Sequence, residues 1–152
     1  MKHYKNLFLF PFIIIISVTV LSGFGNNSNT GIVKDLMKER TSILQQTYYG
    51  ELNSDIAEDK LSNIETQPLL ESDILTLRAF KNTEIDMIRD MEIISLKRIT
   101  KLYDYLSFHG TIRWHMSGLN GEYVETVDYC IVLKSFGRIY KISDIYPINR
   151  YQ

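Results

Sequence analysis

Residues 103–146 read YDYLSFHGTIRWHMSGLNGEYVETVDYCIVLKSFGRIYKISDIY, and a period of two runs through them. That alternation is the mark of extended strands with two unlike faces. Leu106, Phe108, Ile112, Trp114 and Met116 fall on one face, and Tyr105, Ser107, His109, Thr111, Arg113 and His115 on the other. Asn120-Gly121 is the strongest hairpin dipeptide, so a two-residue loop there sets Leu119 opposite Glu122. Trp114 then faces Val127, Phe108 faces Leu133, and Arg113 faces Asp128 as a cross-strand ion pair. A second loop at Phe136-Gly137 sets Ser135 opposite Arg138, Leu133 against Tyr140, Ile131 against Ile142 and Val127 against Tyr146. Both loops put apolar residues on one common face, and a slip of one residue would turn every side chain over. The pattern therefore predicts an antiparallel meander. Upstream, Met91 to Ile99 is β-branched enough to add a strand, giving about four.

The aromatic face of this sheet, Phe108, Trp114, Tyr129, Tyr140 and Tyr146, is a candidate pocket lining. Asp144 beside Tyr129 would have a raised pKa among those rings and could act as a general base. A bulge after Ile142 would instead turn Asp144 to solvent and Ile145 inward. Glu125 stands about 13 Å from Asp144 along the strands, too far for a paired acid and base. On the other face His109 and His115 share a direction but lie about 20 Å apart, which excludes one metal ion between them. Cys130 with His109 has the elements of a nucleophile and its base, but an open sheet face supplies no oxyanion site. The same face carries Val124, Val132, Ile139 and Ile145 among its polar residues, and with His109 they form a candidate interaction surface.

Before the sheet the period changes to three and four. Val33, Leu36, Met37, Ile43, Leu44 and Tyr48 lie on one helical stripe that Gly50 closes. Asn53 or Ser54 caps a second helix through Ile56, Leu61 and Ile64, which stops before Gln67-Pro68. Ser72 and Asp73 open a third, with Leu75, Ala79 and Phe80 on its stripe. Three helices preceding a curved four-stranded meander make an α+β domain over residues 32–148, followed by a tail, 149–152.

The N-terminus reads differently. Lys2 and Lys5 precede an apolar run, Leu7 to Leu21, with no charged residue until Lys34. Residues 1–25 fit a secretory signal peptide cleaved after Gly25 or, with the run extended over residues 7–24, an uncleaved membrane anchor. Residues 26–31, NNSNTG, read as a polar tether. The folded part is thus expected outside the cytoplasm. The net charge of −1 and the lack of basic runs interleaved with aromatics give no footprint for nucleic acid. Cys130 is the single cysteine, which excludes an internal disulfide and a cysteine-based zinc cluster, and no motif calls for a cofactor.

Helices first, then a twisted meander closing on Tyr140-Lys141-Ile142, resembles the NTF2-like or cystatin-like α+β group over roughly residues 32–148. The resemblance implies helices filling a curved sheet. It also implies a range of functions: ligand carriers, isomerases and dehydratases, and, behind one membrane segment, assembly components of bacterial conjugation and secretion machines. With no reactive constellation in view, a non-catalytic interaction or assembly domain is the first expectation, with a protein partner or self-association. A small-ligand carrier is the second, and an enzyme using Asp144 in the aromatic pocket the third.

Overall fold

The computed structural model describes residues 29–79 and 86–148. Three helices come first: α1 (residues 29–48), α2 (Ser54–Ile64) and α3 (Leu69–Ala79). Four strands follow: β1 (Met87–Leu102), β2 (Tyr105–Gly118), β3 (Gly121–Phe136) and β4 (Ile139–Pro147). They form one antiparallel sheet in the order β1-β2-β3-β4, so the architecture is α+β. The export segment expected over residues 1–25 and the tail over 149–152 lie outside the described residues. No helix among the described residues is long and apolar enough to cross a membrane.

Helix α1 buries Val33, Met37 and Ile43, the stripe that its spacing predicts. It ends where Gly50 takes φ +73, with the N–H of Glu51 bonded to Gln46 O and that of Gly50 to Thr47 O, the paired bonds of a Schellman motif. Residues 29–31 are already helical, so the expected tether loses its last three residues to α1. An exposed first turn needs no apolar side chain, and composition alone therefore places the boundary too late. The Asn53 side chain caps α2 by accepting from Asp55 N at 2.8 Å. Ala57, Leu61 and Ile64 are its buried positions, whereas Ile56 is exposed. The helix gives way at Glu65 because the chain turns to β4: Glu65 bridges Ile142 in parallel, and Thr66 N donates to Ile142 O. Helix α3 starts at Leu69 rather than at Ser72, since Pro68 ends one helix and suits the start of the next. Its buried face is Leu69, Asp73 and Leu77; Leu75 points to solvent, and Phe80 lies outside the described residues.

The sheet has the predicted faces in a different register. In β2–β3, Gly118 pairs with Gly121, so the loop is Leu119-Asn120 and Phe108 faces Ile131, Trp114 faces Glu125 and Arg113 faces Thr126. The positive φ falls on Gly121 (+107) and not on Asn120, which moves the turn back by one residue. In β3–β4 the loop is Gly137-Arg138, and Phe136 pairs with Ile139, Ser135 with Tyr140 and Leu133 with Ile142. Moving a loop by one residue shifts the partners by two, and a shift of two keeps each side chain on its face. Strand β1 has register breaks at three evenly spaced points, between Ile88 and Asp90, Ile93 and Ser95, and Arg98 and Thr100. Each inserts one residue and reverses the alternation, so Ile88, Met91, Ile93 and Leu96 can share the inner face at spacings of three and two. That is why period-two reading fails over residues 85–100.

Two cores result. Val33 and Met37 of α1 and Leu69 of α3 pack on Met91, Leu106, Phe108, Ile112, Ile131, Leu133 and Ile142 of the inner sheet face. Ile43, Ala57, Leu61, Ile64 and Leu77 make a second cluster among the helices, and Leu36 packs against both. Burying each large side chain stabilises by about 1.5–3 kcal/mol. Gly110 matters at the centre: a Cβ there would meet Leu96 Cδ1 at 3.2 Å and Ile131 Cδ1 at 3.3 Å, so its bare Cα lets these two close over the strand.

Candidate functional site

The aromatic inner face is packed against the helices. Phe108 is fully buried, and Trp114, Tyr129 and Tyr140 are partly buried against the core beneath α1. Trp114 meets Tyr129 edge to face, with centroids 6.3 Å apart and an interplanar angle of 85°. A cleft of about 450 Å³ opens elsewhere, between the second half of α1 and the free edge of β1. Lys38, Gln45, Tyr49, Arg89 and Asp90 are among its lining residues, and it does not reach Trp114. There the Gln45 side chain accepts from Ile88 N at 3.1 Å and the Thr41 hydroxyl donates to Met91 Sδ at 3.6 Å. The Gln45 side chain thus takes one backbone bond that a further strand would otherwise make with β1.

The bulge considered for β4 is present. Register breaks between Val132 and Leu133 of β3, so Ser143 is the extra residue, Asp144 faces Val132, and Ile145 faces Ile131. Two expectations are corrected by it. Asp144 lies on the outer face, away from the aromatic side, and cannot be a base among those rings. Ile145 packs against the core and leaves the interaction surface. Tyr146 crosses over as well, from the aromatic face to a position opposite Cys130. Physically, the bulge accommodates Ser143, which is buried and donates to Gln67 O at 3.1 Å, fastening β4 to the α2–α3 connection.

On the outer face Cys130 is buried and stands directly between His109 and Tyr146. A hydrogen bond with Cys130 pushes the Tyr146 hydroxyl above its usual value. His109 Nε2 lies 3.8 Å from Asp128 Oδ1, too long for a hydrogen bond, and Asp128 accepts instead from the Thr111 hydroxyl at 2.7 Å. Ser95 donates in turn to Thr111 at 3.0 Å. Cysteine, imidazole and carboxylate are therefore neighbours, but the geometry ties Asp128 to a threonine and leaves the face open. The expected Arg113–Asp128 pair is replaced by Arg113–Glu92 at 2.8 Å, since the true register puts Thr126 opposite Arg113. No group of three or more potential metal ligands occurs among the described residues.

Of the interaction residues, Val124 and Ile139 are exposed and Val132 and His109 half-buried. The exposed apolar residues are concentrated elsewhere than expected. At the end of the sheet that carries the β1–β2 and β3–β4 turns, Leu102, Tyr103, Tyr105, Phe136 and Ile139 are all exposed, Tyr103 by 88%. Leu102, Tyr105, Lys134 and Lys141 form one continuous cross-strand row there.

A buried ion cluster escapes sequence reading. Arg40 of α1 bonds Glu65 at 2.8 Å through Nε and Asp73 at 2.6 Å through the guanidinium tip. The Glu65 side chain is fully buried, and its Oε2 has no partner. Burial, with the Asp73 charge adding to it and Arg40 opposing, pushes the Glu65 carboxyl up to about 8. One guanidinium thus serves two carboxyl groups, and at neutral pH Glu65 largely keeps its proton. Arg40 of α1 stands 25 residues from Glu65, which follows α2, and 33 from Asp73 of α3. The one signal was Asp73 at a buried helical spacing between Leu69 and Leu77, and capping chemistry accounts for an aspartate there equally well. Buried from solvent, Glu65 clamps the helices to β4.

No protein-family model matches this chain, and no curated protein matches it.

Proposed function

We propose that this chain is an exported or membrane-anchored, non-catalytic interaction domain of NTF2-like or cystatin-like build, working through the uncovered face of its sheet. One observation carries the reading. The inner face is filled by α1 and Leu69, whereas on the outer face no described helix lies over Val124, Val132 and the rows beside them. Exposed apolar area of this kind marks contacts with partners. The partner is a protein or a second copy of the chain, as in the assembly components that share the domain's order of elements. The apolar run over residues 7–24 holds the domain outside the cytoplasm, attached or released.

The test is cross-linking and sedimentation of the full chain in a membrane mimetic, with and without Val124→Lys and Val132→Lys together. Loss of a defined cross-linked species in the double variant is the expected result. The same species at the same yield would overturn the reading. Small-ligand binding is the second reading, and the cleft between α1 and β1 is the observation that favours it. Protection of Tyr49 and Arg89 from chemical modification by a bound small molecule would bring it forward.

A further inference from the structure

The two ends of the sheet both expose apolar side chains but differ in charge. Counted by cross-strand rows as far as Lys97, residues 97–109 and 130–146, the turn end holds six cations, Lys97, Arg98, Lys101, Lys134, Arg138 and Lys141, against two acids, Asp104 and Asp144. The opposite end, residues 86–92 and 113–126, holds five acids against two arginines. Exposed rings and aliphatic side chains interleave with the cations: Leu102 is 61% exposed and Ile139 62%. Lys134 Nζ sits 5.4 Å from the ring centroids of both Tyr105 and Phe136. Tyr103, at the tip, adopts φ +51, the left-handed conformation that the first residue of a two-residue hairpin loop takes and that is unfavourable for an aromatic residue.

From this geometry we infer that the turn end, Leu102–Tyr105 with Phe136–Ile139, is a docking surface for an anionic lipid bilayer. Aromatic rings with one apolar and one wet side, aliphatic side chains and flanking lysines or arginines are the composition that enters the headgroup region. Cations near an anionic leaflet each add about 1 kcal/mol of attraction, or about fivefold in association. Chain direction points the same way. Thr41 meets Met91 and Gln45 meets Ile88, so α1 runs antiparallel to β1 and its N-terminal end faces the turn end. Residue 29, where the described chain begins, therefore lies on the side where the cations and rings are. This inference rests on the membrane placement proposed above, but not on the protein contact through Val124 and Val132.

The experiment uses the full chain with Cys130→Ala, in vesicles of phosphatidylcholine alone or mixed with phosphatidylglycerol. An environment-sensitive fluorophore is placed at Ile139→Cys or, at the opposite tip, at Leu119→Cys. The 139 fluorophore should report an apolar environment only when phosphatidylglycerol is present, and the 119 fluorophore should stay in water in both. Lys101→Glu and Arg138→Glu, both at exposed positions, should each lower the lipid-contacting fraction at least about fivefold. High salt should produce the same loss without any charge substitution. A 139 fluorophore in water in both vesicles overturns the inference. Shielding that ignores lipid charge overturns it in favour of a protein contact, and equal shielding at 119 overturns it as non-specific adsorption. Retention of the Val124- and Val132-dependent cross-linked species in any of these cases leaves the interaction reading standing.

Discussion

The turn end of this sheet and the opposite end, which carries the β2–β3 loop, are built from the same strands, and both expose apolar side chains, yet they carry opposite charge. At the loop end polar groups pair within the chain. Asp86 accepts from the Tyr123 hydroxyl at 2.6 Å and lies against the bare Cα of Gly118, and Arg113 pairs with Glu92. At the turn end exposed rings and cations stand in surplus, and Tyr103 is held in a strained conformation with its ring in water. Opposite charge at the two ends is the pattern expected when one of them meets an anionic partner. Between them the Arg40 cluster and the α1 core hold both ends in place.

The largest effect should come from that shared middle. Arg40→Ala leaves two buried carboxyl groups without their cation and should cost about 3–5 kcal/mol in denaturant unfolding, with both ends lost in one transition. Survival of one end after the other has melted would show that the ends are separate units. Glu65→Gln is smaller and depends on pH. The folded carboxyl titrates near 8 and the unfolded one near 4.5, so the folded state binds the extra proton between those values. Stability should therefore be greatest at the acidic side of this window and fall as pH rises through it, a slope that Glu65→Gln should flatten. A wild-type stability that rises across the same window would mean that Glu65 is ionised beside Arg40.

The ends themselves then separate. Gly118→Ala at the loop end forces the Asp86 carboxylate aside and weakens its bond to Tyr123. It should cost about 1 kcal/mol, with no change in vesicle association. Tyr103→Gly at the turn end should do the reverse, leaving stability unchanged or raising it by up to about 1 kcal/mol because glycine accepts the positive φ, while lipid contact falls. If Tyr103→Gly destabilised the fold and Gly118→Ala impaired association, the roles of the two ends would be exchanged.

The amino-acid sequence by itself determined the strands and which side chain lies on which face. Alternation survives an error in the loop, so Phe108, Ile112, Ile131 and Leu133 reach the core although the turn sits one residue earlier than Asn120-Gly121 implies. The α1 stripe and the Gly50 stop were legible for the same reason, being local periodicity and local backbone chemistry. Only the tertiary structure decided the rest. Three bulges in β1 scramble a period that must be intact to be read, and the bulge at Ser143 moves Asp144, Ile145 and Tyr146 to the opposite faces. Arg40, Glu65 and Asp73 are brought together from two helices and the connection between α2 and α3, and cations scattered between residues 97 and 138 gather at one end of the sheet because both hairpin turns lie there. Such juxtapositions depend on chain paths that no single stretch of sequence encodes.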